Sequence, residues 1–293
     1  MKASKVQAWY TSKQRREMFD RALTYVIVTA LAVMFVIPLV WTVSSSLKSN
    51  PQMYIFPPVW IPNPIQWENY ARVLQEIPFA LFFKNTLWIT ILAGAGQVLT
   101  AAIVGYGFAR FKFPGRRVLF MVLLGTMMIP REVLLVPQFI LYNNLKWVDT
   151  FKPLVVPYYF GGGPFTIFLM RQFFMSVPTT LDEAAKIDGA GAFRTFWSII
   201  LPLSKPVLAT ASILSFQWHW NDFISPLIYL QSRENFTVSL GLRMFQSVAG
   251  IGGVPKDNLL MAASVMALLP ILILFVFMQK HFVRGIVMTG IKG

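Results

Sequence analysis

Residues 22–47 read ALTYVIVTALAVMFVIPLVWTVSSSL, with no charge in the run and with Arg21 and Lys48 bracketing it. A helix needs about 20 apolar residues to cross a hydrocarbon core roughly 30 Å thick. The stretch therefore reads as a membrane-crossing helix. It is too long for the roughly 7–15-residue apolar region of a secretory signal and lacks a small-residue exit, so it reads as retained.

Working outward from that run, five more stretches of the same kind appear. Residues 85–109 are uncharged between Lys84 and Arg110. Residues 118–145 are long and apolar but broken by Pro130-Arg131-Glu132 and by Pro137. Residues 153–171 run up to Arg171, residues 206–230 are interrupted only by His219 and Asp222, and residues 259–279 are clean. The expected fold is an all-α integral membrane protein of six transmembrane helices, one domain over residues 1–293. Composition agrees, since 56% of the residues are hydrophobic and 13% charged, against about 25% charged in a soluble domain. So apolar a chain is not disordered. With no Cys and two His, a disulfide scaffold and a thiolate zinc site are excluded, and a histidine metal site is poorly supplied.

The net charge of +14 could indicate nucleic acid, so its location matters. Seventeen of the 26 Lys and Arg fall in the two termini and in the loops after the second and fourth stretches. The three opposite loops hold eight, and Arg131 lies at membrane depth. Basic residues accumulate on the cytoplasmic side. Both termini and the 176–205 loop are therefore expected in the cytoplasm, with the chain in the cell membrane. Charge spread over four segments is a topology signal, and no nucleic-acid partner is expected.

The loop between the fourth and fifth stretches carries the densest pattern, SVPTTLDEAAKIDGAGAFRTFWSIILPL over residues 176–203. It reads as two short helices and a turn. Thr180 followed by Glu183 has capping-box spacing, and Asp182 and Glu183 suit the positive end of a helix. Gly189 and Gly191 supply a stop and a turn. Phe193, Phe196, Trp197 and Ile200 then recur as an apolar helical stripe. Pro202 and Pro206 end the second helix and open the fifth span. Such a stripe either meets a partner protein or packs on the chain's own helix ends and the lipid interface.

That loop resembles the EAA-x3-G-x9-I-x-L-P signature of permease subunits in binding-protein-dependent ABC importers. It matches at Glu183, Ala184, Ala185, Gly189, Ile199, Leu201 and Pro202. The resemblance implies a coupling helix seated in a cleft of a cytoplasmic ATPase, with Asp188 and Phe193 in the same coupling set. Gly189 would make the turn, and Glu183 would carry polar contacts or the cap. Closure of two ATPase subunits on ATP and Mg would carry the loop as a rigid body. No G-x-x-x-x-G-K-[ST] occurs, and Gly94-Ala-Gly96 and Gly161-Gly-Gly163 lack the following Lys. ATP chemistry then belongs to another chain; this one is expected to be no enzyme, with no catalytic, cofactor or metal residue. Phe111-Lys-Phe-Pro-Gly-Arg-Arg, Trp220-Asn221-Asp222-Phe223, Met261-Ala-Ala-Ser and the ending from Gly285 to Gly293 look like the carbohydrate branch. Within it the chain is similar to the second, six-span permease of maltose-type importers. That implies a second, different permease, two ATPase subunits, an extracellular or periplasmic solute-binding protein and membrane lipid as partners. The solute would be an oligosaccharide. Importers of amino acids, phosphonate or peptides share the loop and are the near alternatives. An acidic oligosaccharide such as an oligo-uronate is also allowed. A stand-alone secondary transporter would need its own ion site, and an intramembrane enzyme a nucleophile–base set; neither is visible.

Charges at membrane depth are expensive and mark candidate pathways. Arg131 lies 13 residues beyond Val118 and Asp222 16 beyond Pro206, so about 20 and 24 Å from the cytoplasmic edge at roughly 1.5 Å per residue, at similar depth in the outer half of the bilayer. The two are expected to meet or to line one wet cavity. Glu132, Trp218 and Asn221 join them as pathway candidates, because a ring with polar neighbours suits a sugar. Trp218 and Asp222 would share a helix face. His219 reads as a packing or outer-mouth residue. Ala101, Gly105 and Ala109 have the spacing of close helix packing, against a neighbouring helix or the partner permease. Residues 48–84, Pro-rich and ending in an amphipathic helix with Trp67, Tyr70, Val73 and Leu74, and residues 231–258, with Gly250-Ile-Gly-Gly253, are by resemblance the surfaces that receive the binding protein.

Overall fold

The structure, a computed structural model, describes the backbone of residues 2–247 and 256–290 and the side chains of residues 16–246 and 256–278. The Gly250–Gly253 segment and the side chains of Lys2, Lys5, Lys13, Arg15, Lys280, Arg284 and Lys292 lie outside the described residues. Among the described residues every regular element is helical. In chain order these are α1 (Lys2–Ser46), α2 (Glu68–Glu76), α3 (Phe79–Arg110), α4 (Arg116–Gly125) and α5 (Arg131–Asn144). There follow α6 (Lys152–Val155), α7 (Pro164–Ser176), α8 (Thr180–Ile187), α9 (Ala192–Thr195) and α10 (Leu201–Leu203). The last are α11 (Lys205–Trp220), α12 (Ile224–Tyr229), α13 (Val238–Ser247) and α14 (Asp257–Gly290).

Three of the expected spans are continuous helices: Arg16–Ser46 within α1, Phe79–Arg110, and Asp257–Met278 within α14. The other three are broken, each at a residue with a physical reason. Pro130 has no backbone N–H and disfavours helix at the residue before it. Ile129 is accordingly extended, and Arg116–Met128 meets Arg131–Asn144 at 98°. The third stretch is thus not the straight rod assumed in placing Arg131 by rise per residue. The fourth is not one helix either. Pro157 sits in a 3-10 turn over Val156–Tyr159, and Gly162 and Gly163 take φ of 56° and 78° before α7 restarts at Pro164. In the fifth, α11 stops at Trp220 and α12 begins at Ile224. Phe196–Ile200 form a π-helical turn, and Ala192–Leu203 meets Lys205–Trp220 at 79°, the corner expected at Pro202 and Pro206.

The chain divides into two compact units. One comprises residues 1–73 and 248–266. In it Lys48 is fully buried; its Nζ donates to Ser45 Oγ at 3.2 Å and lies 3.7 Å from the centroid of the Trp41 ring. Burial pushes its pKa down. The Lys48 carbonyl accepts from Asn69 Nδ2 at 2.8 Å, and Tyr54 donates its hydroxyl to Asp257 Oδ2 at 2.7 Å. These bonds tie the Pro-rich segment after α1 to the start of α14. No residue is buried across the most apolar window of α1's Arg16–Ser46 stretch. A helix apolar all round and unburied faces lipid or another chain.

The second unit comprises residues 74–247 and 267–293, with α3 at its centre against α7 and α11. Close approach there requires Gly105: a Cβ would lie 2.8 Å from Met170 Cβ and 3.1 Å from the Arg171 backbone nitrogen. The small-residue row of the second span thus packs on α7, the neighbouring-helix alternative of the two considered. Val98, Ala101, Tyr106, Met170, Phe174, Phe196 and Ile200 belong to one buried cluster beside it. A second cluster holds Ile89, Tyr142, Leu154, Tyr229 and Leu240. Asp149 clips the latter together. Its carboxylate accepts from Ser232 Oγ, from the backbone N–H of Ser232 at 2.8 Å and of Gln231 at 3.0 Å, and from Asn235 Nδ2 at 3.1 Å. The Ser232 bonds chiefly hold its pKa well below the usual carboxylate range.

Candidate functional sites: the loop helices and an ion-paired cavity

The loop of residues 176–205 folds as two short helices around a turn. The capping box does not form: α8 starts without a side-chain cap, and the Thr179 carbonyl instead accepts from the N–H groups of Asp182 at 3.0 Å and Glu183 at 3.1 Å. Helical backbone one residue earlier has taken over the role that the Thr180 side chain was expected to play. Gly189 makes the turn at φ 74°, where a side chain is strained. Its N–H donates to the Lys186 carbonyl at 3.1 Å, and that of Ala190 to Ala185 at 2.8 Å.

The apolar stripe splits. Phe196 and Ile200 are 4% and 0% exposed and belong to the chain's own core. Phe193 and Trp197 are 76% and 51% exposed, their rings stacked at 6.2 Å between centroids and 11° between planes. Packing on the chain's own helices therefore holds for Phe196 and Ile200, while Phe193 and Trp197 are left uncovered by this chain. The remaining motif residues sort likewise. Glu183, Ala184, Asp188, Gly189 and Pro202 are exposed, Ile199 and Leu201 are half-buried, and Ala185 is buried. Exposed Ile187 and Arg194 lie in the same loop and were not singled out from sequence.

The second site forms where two helix breaks come together. Arg131, first residue of α5, places Nη2 3.1 Å from Asp222 Oδ2 and donates also to Ser225 Oγ. Asp222 Oδ1 accepts from the Ser225 N–H at 3.2 Å, so the carboxylate sits at the positive end of α12. The pair lines a cavity of about 380 Å³ with Thr86, Gln138, Tyr142, Tyr158, His219, Ser225 and Tyr229. That volume lies within the range of small-molecule sites. One half-buried amide backs the wall through His219. Gln97 Oε1 accepts from Ser215 Oγ at 2.7 Å and from His219 Nε2 at 2.9 Å, while its Nε2 donates to Thr166 Oγ1 at 2.9 Å. An amide oxygen can only accept, so His219 carries its hydrogen on Nε2. The ring of Tyr158 stands edge-on to His219 at 4.4 Å.

Of the five pathway candidates, Arg131 and Asp222 are brought together in the cavity. Trp218 is 57% exposed and borders the cavity from outside its lining, with Arg131 Cζ 5.7 Å from its ring centroid and a side-chain hydrogen bond to Tyr158. Glu132 and Asn221 are exposed and do not line the cavity; Asn221 Nδ2 folds back to the Gln217 carbonyl at 2.9 Å. The shared face expected for Trp218 and Asp222 is lost because α11 ends between them. The polar lining residues Tyr158, Tyr229 and Gln138, and Gln97 behind His219, carried no charge and were missed. The usable signal was a Tyr, Gln or His inside an apolar run, each of which needs a partner in lipid.

Residues 97–288 match the family described as the binding-protein-dependent transport system inner membrane component. The chain is 34% identical to the arabinooligosaccharides transport system permease protein of Halalkalibacterium halodurans, over 80% of this chain and 82% of that one. It is 33% identical to the maltodextrin transport system permease protein of Bacillus subtilis, over 94% and 98%. It is also 33% identical to the sn-glycerol-3-phosphate transport system permease protein of Yersinia pestis, over 84% and 88%. Its fold is similar to a chain in the crystal structure of a bacterial ABC transporter involved in the import of the acidic polysaccharide alginate. There the TM-score is 0.78 and the identity 24%, over 92% of this chain and 98% of that one. Apolar helices and likeness to permeases over most of the chain thus converge: the chain belongs to the inner membrane components of binding-protein-dependent transport systems, as a permease subunit.

Proposed function

We propose that the chain is one of two different permease subunits of an ATP-driven importer for an oligosaccharide. An extracellular or periplasmic binding protein delivers the sugar to the 48–84 and 231–258 side. Two ATPase subunits, which hold ATP and Mg, bind under residues 176–205. Both termini and that loop face the cytoplasm, and six crossings make one domain in the cell membrane. Closure of the ATPase pair moves the loop, and the spans alternate between outward and inward access.

The observation that carries this reading is the loop itself. Glu183, Ala184, Asp188, Phe193 and Trp197 stand exposed on helices whose opposite sides are rooted in the core by Ala185, Phe196 and Ile200. Two bare stacked rings fit a cleft in another protein better than they fit water.

The cavity lined by Arg131 and Asp222 is the pathway segment in this subunit. Its guanidinium is already neutralised by the carboxylate, which favours a neutral polyhydroxylated solute held by Tyr, Gln and Ser. Arabinooligosaccharides and maltodextrin, in the names of two relatives, are such solutes. An acidic oligosaccharide is the second reading, supported by Arg131 alone. Two steps test the proposal: affinity purification from the native membrane, with ATPase activity as readout, then uptake of arabinotriose, maltotriose and an alginate trisaccharide. An ATPase must co-purify, and a neutral sugar must be taken up. Absence of the ATPase ends the importer reading, and uptake of the alginate trisaccharide alone replaces the neutral sugar by the acidic one.

A further inference from the structure

Arg110, counted so far only among the charges that orient the chain, ends α3 within reach of α8. Its Nε lies 3.2 Å from Asp182 Oδ2, with the two side chains 8% and 23% exposed. That contact is ionic and lacks the alignment of a hydrogen bond. The directed bond comes from Nη2, which donates to the Val177 carbonyl at 2.8 Å. The last residue of α3 thus holds the loop at two points, its entry and the first turn of α8. Tyr106, four residues earlier, adds a third contact, donating its hydroxyl to Asp182 Oδ1 at 3.3 Å. Its ring is 6% exposed, with centroids 5.9 Å from Phe174 and 4.9 Å from Phe196.

This arrangement gives α8 two unlike sides. Asp182 and Ala185 are turned to the chain's own helices, while Glu183, Ala184, Ile187 and Asp188 are open. A loop that only filled space between spans would have no need of a largely desolvated ion pair, which costs stability when either partner is lost. A loop that must push needs a stiff attachment to what it pushes. An ion pair supplemented by a charge-assisted bond to the backbone resists sliding along the interface better than apolar contact does.

We propose that Arg110 and Asp182 are positioning residues forming an ionic latch that fixes α8 to the end of α3, so that displacement of the loop is delivered to that span. The latch rests on the coupling role proposed above. It assigns the load path to the second span, whose α3 in turn packs on α7 and α11. The loop's other attachment passes through the 79° corner into α11. The latch therefore makes the loop a two-point lever.

The chain has no Cys, so spin labels can be placed at Lys112→Cys and Lys186→Cys, both exposed positions on either side of the latch. The distance between them is measured by pulsed electron resonance in the complex purified with its ATPase, without nucleotide and with ATP plus vanadate. The expected result is one distance, unchanged by nucleotide, because α8 and the end of α3 move together. In Arg110→Met and in the isosteric Asp182→Asn the distance becomes nucleotide-dependent, and the exchanged pair Arg110→Asp with Asp182→Arg restores its constancy. A latch that merely stabilised the loop's fold would broaden the distribution equally in both states, which overturns the proposal. So does a nucleotide-dependent distance in the parent chain. Failure of any ATPase to co-purify sinks the importer reading beneath the latch, and is seen before any distance is measured.

Discussion

Gly189 takes a left-handed φ and stands with nothing within 4 Å of where a Cβ would be. Substitution there is expected to act through backbone strain and through added bulk on the proposed docking face, not through a clash inside the chain. Gly189→Asp is expected to leave the folded chain in the membrane at unchanged level and to abolish ATPase co-purification. Retention of the ATPase with normal uptake would falsify the role of this turn in coupling. At the cavity, Arg131→Met leaves the Asp222 carboxylate, 11% exposed, without its cation. Losing one partner of such a pair is expected to cut uptake at least about tenfold, roughly 1.4 kcal/mol. Exchange of the two charges should recover most of it. If the exchange recovers nothing while the chain remains folded, Arg131 acts on the solute directly and not through Asp222.

The two loop helices and the clip at Asp149 behave as separable elements. Phe193 and Trp197 stack on each other and Trp197 also meets Phe196 at 6.4 Å between centroids, so Phe193→Ala with Trp197→Ala is expected to cost no more than about 1 kcal/mol of thermal stability. Binding of the ATPase should weaken by about 2 kcal/mol or more, as for aromatic anchors at interfaces; a pulldown titration reads this. Asp149 works in the opposite sense. Its pKa is depressed in the folded chain, so its contribution is complete above the ordinary carboxylate value of about 3.9 and fades as pH falls below it. Asp149→Asn is expected to lower the melting temperature more at pH 7 than near pH 2. An equal loss at both pH values would show that the clip works by shape and not by charge. Much of this element-level detail was legible. Gly189 and the Pro pair announced the turn and the corner, and the Phe193–Ile200 spacing announced the stripe. What could not be read was which half of the stripe faces the core, since Phe196 and Trp197 are equally apolar and only α3 and α7 distinguish them. The break after Trp220 was also hidden, because Asn221-Asp222-Phe223 contains neither Gly nor Pro and depends on Arg131 for its partner.

Across the whole molecule the sequence declared a membrane protein through three uninterrupted apolar runs, and these became α1, α3 and α14. It could not declare the shape of the fourth stretch, where Pro157 and three glycines leave a short helix and a turn inside an apolar segment. Such irregular backbone survives at membrane depth only when protein or a wet cavity receives it, and the 380 Å³ cavity adjoins it. Orientation is testable with the same cysteine-free background. Single cysteines at Phe113 and Ile187 are expected to react with an impermeant maleimide only from the cytoplasmic side, and those at Tyr54 and Ser232 only from outside. Reaction of all four from one side would remove the alternating topology. The unburied α1 has a consequence of its own for biogenesis. Its apolar window finds no burial within the chain, so folding of the rest does nothing to shelter it. This helix must find its protein neighbours in another chain or remain against lipid. Until it does, the lifetime of a newly made copy depends on how much of its covering partner the cell has synthesised.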